Sequence, residues 1–154
     1  MIRPALLTAA ALFASLAAPA TAGPPTAESR KAIDDLLDLL AMHEQVGETH
    51  YGDLASGKSM TLVFPADATV EYYLHAVADD DAENIDLFAY EADGAEIDFD
   101  DADDNAPILN IQASVHRSPI DKPKGIARAV TVEVRMVTCN AASCSFGLRI
   151  DQVE

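Results

Sequence analysis

Between Asn84 and Ala113 the sequence alternates in a way that suits a β-hairpin and not a helix. It reads Asn-Ile-Asp-Leu-Phe-Ala-Tyr, Glu-Ala-Asp-Gly, Ala-Glu-Ile-Asp-Phe, an acidic loop from Asp100 to Asn105, and Pro-Ile-Leu-Asn-Ile-Gln-Ala. Apolar and polar residues take turns on both sides of Asp93-Gly94, the period of a half-buried strand. Asp-Gly tolerates positive φ and marks a hairpin turn. Ile85, Leu87 and Ala89 are expected on one face, with Ile97 and Phe99 facing them. An isolated hairpin is marginal in water, so that face must be covered by further strands.

The flanking sequence supplies them. Met60, Leu62 and Phe64 alternate up to Pro65, where a turn to Ala68 is expected. From Thr69 to Ala78, Val70, Tyr72, Leu74 and Ala76 fall on one side and Glu71, Tyr73 and His75 on the other. Leu109, Ile111 and Ala113 form another set, then Val130, Val132, Val134 and Met136, and last Phe146, Leu148 and Ile150. About seven short strands separated by turn residues predict a mainly β protein, an antiparallel β-sandwich. One amphipathic helix precedes it within Glu28 to Val46. Ile33, Leu36, Leu37 and Leu40 share its apolar face, and Gly47 stands where it should stop. Such a helix caps an open end of the sandwich or pairs with a partner helix; the short stripe favours the cap. His43, His50, His75 and His116 lie far apart in sequence, and each is expected to be a surface or hydrogen-bonded histidine.

Arg3, an apolar run from Ala5 to Ala18 and Ala20-Thr21-Ala22 have the order of a secretory signal peptide, cleaved after Ala22. Export to the periplasm or the extracellular space is therefore expected, with no membrane span after cleavage. The chain divides into a signal peptide over 1–22, a linker and helix over 23–51, and a sandwich domain over 52–154. The formal net charge is −16, and between Ala32 and His116 only Lys58 is basic against twenty-one acids. Nucleic acid is excluded as a partner class, because phosphate contacts need a positive face. Cations and basic surfaces fit the charge; so does plain solubility.

Few residues announce chemistry. Gly52 to Ser59 matches the Walker A pattern letter by letter. That motif works only between a strand and a helix, whose N-terminus holds the phosphates, and neither is expected here. It reads as a Gly-containing turn before the first strand. No Gly-x-Ser-x-Gly or His-Glu-x-x-His occurs. Cys139 and Cys144 are close in an exported chain, which favours a disulfide over a nucleophile. Placed across a turn between two paired last strands, they would be offset by one residue or separated by a bulge, since their numbers sum to an odd value. Asp101, Asp103 and Asn105 put oxygen at alternate positions, as in a loop wrapping a calcium ion. The same residues would also serve as a solvated acidic turn.

The region from about 52 to 150 resembles the bacterial pre-peptidase C-terminal domain family. The resemblance rests on the turn Leu54-Ala-Ser-Gly-Lys-Ser59 entering a strand and on Val70 to Ala78 running into an acidic turn. It also rests on Ile85-Asp-Leu-Phe-Ala-Tyr90, Asp93-Gly94, the aspartates of 100–104, Pro107, and Cys139-Asn-Ala-Ala-Ser-Cys144-Ser-Phe-Gly. It implies a jelly-roll-like, exported, non-catalytic module, often found appended to secreted proteases, whose relatives bind calcium, collagen or polysaccharide. This sequence carries no peptidase domain, and Asp79, Asp80 and Asp81 stand where some similar sequences have a second cysteine pair. The expected function is a non-enzymatic binding or structural module, calcium-stabilised, with a protein or polysaccharide partner. The competing expectation is a small secreted hydrolase using carboxylates of the acidic turns.

Overall fold

The computed structural model describes residues 26–113 and 126–153. The expected signal peptide, its expected cleavage site and His116 lie outside the described residues. Two antiparallel sheets pack as a sandwich with one N-terminal helix.

Helix α1 spans Ala27–Leu40. Thr26 caps it, its hydroxyl accepting from Ser29 N and offsetting one orphan donor of the first turn. Ile33 and Leu37, four apart, are fully buried against Val77. The helix is shorter than its apolar spacing suggested. It stops at Leu40, and Glu44–Gln45 (β1) leaves to pair with the last strand. Gly47 still marks a turn, at φ +73°, but between strands. Nor does the helix cap an open end: it lies across the outer face of one sheet.

The remaining strands are β2 (His50–Leu54), β3 (Lys58–Asp67), β4 (Tyr72–Ala78), β5 (Ala82–Tyr90), β6 (Glu96–Asp100), β7 (Ile108–Ile111), β8 (Ala127–Cys139) and β9 (Cys144–Gln152). Sheet A runs β1-β9-β4-β7, with β2 also pairing β9. Sheet B runs β3-β8-β5-β6. Apart from the β5–β6 hairpin, each step from β2 to β9 crosses from one sheet to the other, the strand order of a jelly roll. The core is the set of inward residues: Leu74, Phe146, Leu148 and Leu109 from sheet A, and Val130, Val132, Val134, Ile85 and Leu87 from sheet B, all fully buried.

Among the described residues nine strands form where about seven were expected. The extra two are β1 and β2, whose sequences are polar because they flank a sheet edge and owe their pairing to β9. β3 runs through Pro65 instead of ending there; β3 is an edge strand, where a missing N–H costs no ladder bond. Phe99 is not in the core. Leu87, Phe88 and Ala89 pair with Asp100, Phe99 and Asp98, but Tyr90 pairs with Glu96, leaving Ile97 as the extra residue of a bulge. Phe99 therefore sits outside, opposite Phe88, and Asp98 and Asp100 take the inward positions at the sheet edge. The hairpin turn is longer than two residues: Glu91 N donates to Ala95 O, and Gly94 alone has positive φ.

Cys139 and Cys144 form a disulfide. The paired-strand geometry expected for it does not hold, because β8 and β9 lie in different sheets. The bond closes the corner where the chain crosses the sandwich.

Candidate functional site

The acidic loop after β6 is held shut by its own carboxylates. Asp100 accepts from Ala102 N at 3.2 Å and Ile108 N at 2.9 Å. Asp104 accepts from Ala106 N, and Asp98 from Asn110 N at 2.8 Å. The bonds from Ile108 and Asn110 join edge strand β6 of sheet B to edge strand β7 of sheet A, and those from Ala102 and Ala106 close turns within the loop. Asp101 and Asp103 are exposed, while the backbone carbonyl of Asn105 accepts from Ala78 N. Among the described residues, no three His, Cys, Asp or Glu side chains gather as metal ligands. Asp98, Asp100 and Asp104 of this loop thus close on backbone N–H groups, while the Asp101 and Asp103 carboxylates face solvent.

The Walker-like stretch is the end of β2, a turn with Gly57 at φ +71°, and the start of β3. A strand follows the glycine instead of a helix, so the stretch has no helix N-terminus for phosphate. Ser56 instead binds Cys139, accepting from its N–H and donating to its carbonyl.

A polar seam that the sequence did not announce lies under α1. On the outer face of sheet A, β4 presents Tyr73, His75 and Val77, and β9 presents Ser145, Gly147, Arg149 and Asp151. Arg149 donates to Asp151 at 2.7 Å and to Asp38 of the helix at 3.0 Å. The Tyr51 hydroxyl donates to Asp34, and the Arg30 guanidinium sits 4.1 Å from the centre of the Tyr51 ring. His75 is fully buried, neither a surface nor a hydrogen-bonded histidine: among the described residues neither ring nitrogen has a hydrogen-bond partner. Its Nε2 is 3.7 Å from Asp151 Oδ2, too far for a hydrogen bond. Burial holds its pKa below the ordinary value, opposed by Asp151 and reinforced by Arg149 and His43. The neutral ring stacks beside Tyr73, which in turn stacks on His43. Ser145 is no nucleophile for this histidine. It lies four residues along β9 from Arg149, the register partner of His75, roughly 13 Å away. Its hydroxyl donates to Asp53.

Two surfaces remain open. On sheet B the rings of Phe88, Tyr90 and Phe99 form a row with 6.4 Å between neighbours, and the Arg135 guanidinium lies 4.5 Å over Phe88. Asp86, beside Arg135, is 7 % exposed, and burial raises its pKa. Glu133 is held low, chiefly by the Ser59 hydroxyl. The second surface is on the helix side. A groove of about 290 Å³ separates Glu28, Ser29, Ala32, Ile33 and Leu36 of α1 from Ala78, Asp79, Asp80 and Asp81. Leu36 at its edge, Leu39 further along the helix and Met42 just past the helix end are 44 %, 81 % and 66 % exposed.

No protein-family model matches this sequence, and a search of curated proteins finds no match to it. Among the described residues no helix is long and apolar enough to cross a membrane.

Proposed function

We propose that this chain is an exported, non-catalytic β-sandwich module whose role is to bind a partner or to build structure, of the kind its resemblance to the pre-peptidase C-terminal domains implies. The observation that carries the reading is how the reactive side chains are engaged. His75 and Asp151 are sealed beneath α1, Ser145 is bonded to Asp53, and Asp98, Asp100 and Asp104 hold backbone N–H groups. Among what faces water are large apolar side chains: Leu36 and Leu39 on the helix, Met42 just after it, and Val63 and Phe99 on sheet B. Apolar surface of this kind, rimmed by carboxylates, suits recognition.

One carboxyl could serve a hydrolase. Asp86 has a raised pKa, the property a general acid needs. It sits on the outer face of sheet B beside Arg135, which opposes the rise, while the nearby Asp101 and Asp100 carboxylates add to it. The test has two arms. Purified exported protein is incubated with ester, peptide and glycan substrates, alongside Asp86→Asn. In parallel it is cross-linked in its native envelope and the adducts are identified. The reading expects no turnover and a reproducible adduct with one partner. Turnover that Asp86→Asn abolishes would overturn it.

A further inference from the structure

The groove between α1 and the turn after β4 has a composition of its own. Its helix wall is apolar, with Ala32, Ile33 and Leu36, and Ala78 adds to the floor. Its rim carries Glu28, Asp79, Asp80 and Asp81. Asp79 is only half used: Oδ2 accepts from Ser145 N at 2.8 Å, while Oδ1 is buried with no partner among the described residues. The N-terminus of α1 borders the groove and carries about half a positive charge, which disfavours a cation. Four carboxylates outweigh it. At about 290 Å³ the groove is below the usual range for a drug-sized ligand, and it suits one or two side chains. Beyond it Leu36 and Leu39 continue an apolar ridge on the outer side of the helix.

We propose that this groove receives a basic amphipathic segment of a partner protein, a Lys or Arg entering beside Asp79 while apolar residues lie along Leu36 and Leu39. The inference rests on the binding-module reading and names its partner class. The stem of the basic side chain lies along the exposed Ala32, and its head meets the exposed carboxylates of Asp80 and Asp81 and of Glu28 across the groove. The chain's net charge of −16 draws such a segment in from a distance, a contribution that salt weakens.

The experiment titrates isotope-labelled exported protein with three synthetic helical peptides and follows backbone amide shifts. One peptide carries Lys and Arg on one edge and Leu on the other. The second has Glu for the bases, and the third has Ser for Leu. The first alone should shift residues 28–36 and 78–81. Its binding should weaken with salt, and fall about tenfold in Asp80→Asn with Asp81→Asn and again in Leu36→Ser. Those residues are exposed, so the variants should fold, which the unperturbed spectrum of the rest of the domain would show. Equal binding of the Glu-edged peptide, or no shift in the groove with any peptide, overturns the proposal. Shifts confined to Phe88, Tyr90 and Phe99 also overturn it, yet leave the binding-module reading standing. That reading fails separately, on the turnover test.

Discussion

The two outer faces of this sandwich are built from the same alternating pattern and end in opposite states. On sheet A the outward residues Tyr73, His75 and Val77 go under a helix, and His75 and Val77 are sealed from water. On sheet B the outward residues Phe88, Tyr90 and Phe99 share their face with Arg135 and Glu133, and Phe99 and Val63 reach solvent. The difference comes from what the opposing element offers. Gly147 on β9 leaves a hollow: a Cβ there would stand 2.5 Å from Ile33 Cγ2 and 3.1 Å from Leu37 Cδ1. That hollow lets the helix settle close enough to bury an ion-paired seam. An outward side chain on a strand is thus not a surface side chain until the next layer is known.

This contrast can be broken by substitution. Leu37→Ala should have the largest effect, about 2–4 kcal/mol in denaturant unfolding, because it leaves a cavity under the helix. Gly147→Ala should cost about 1–3 kcal/mol through overpacking against Ile33. Phe99→Ala, on the open face, should cost under about 1 kcal/mol. If Phe99→Ala cost as much as Leu37→Ala, the two faces would not differ as described.

Acid offers a second probe of the covered face. His75 has a folded pKa below its unfolded value of 6.5, so the folded state binds fewer protons. Its contribution is fully present above pH 6.5 and is lost as pH falls from there through the lower folded value. Unfolding free energies measured between pH 7 and pH 5 should decline more steeply in the native protein than in His75→Gln. Equal slopes would mean that His75 is hydrated in solution. Reducing the Cys139–Cys144 bond, away from either face, should cost at most about 2 kcal/mol, since the closed loop is short. Calcium should have the smallest effect: with Asp98, Asp100 and Asp104 already bonded to N–H groups, it should raise the melting temperature no more than magnesium at matched ionic strength.

The inward half of the sandwich was readable because burial on one face writes a period of two into the sequence. Ile85-Leu87-Ala89, Val130 to Met136 and Phe146 to Ile150 all carry it, and all are buried. The apolar stripe of Ile33 and Leu37 was readable for the same reason at the helical period. What escaped was decided by partners distant in sequence. His50–Leu54 is a strand only because β9 has a free edge. Phe99 changed sides through one bulge residue, Ile97. Pro65 stayed in a strand because that strand is an edge, and Cys139 and Cys144 joined two sheets instead of two neighbours. His75 alternates like any outward residue; only the helix, more than thirty residues earlier, makes it interior. The groove was equally hidden, since it pairs α1 with Asp79 to Asp81.

The account depends most on α1 being a fixed part of the domain, closed on sheet A and open to a partner on its far side. Native-state amide hydrogen exchange tests this directly. A helix of 14 residues has little stability alone in water, so protection of its amides reports docking. The account predicts that the amides of Ile33 to Leu40 exchange as slowly as those of β4 and β9, through global unfolding. Exchange of those helix amides at rates near those of a free peptide, with β4 and β9 still protected, would contradict it.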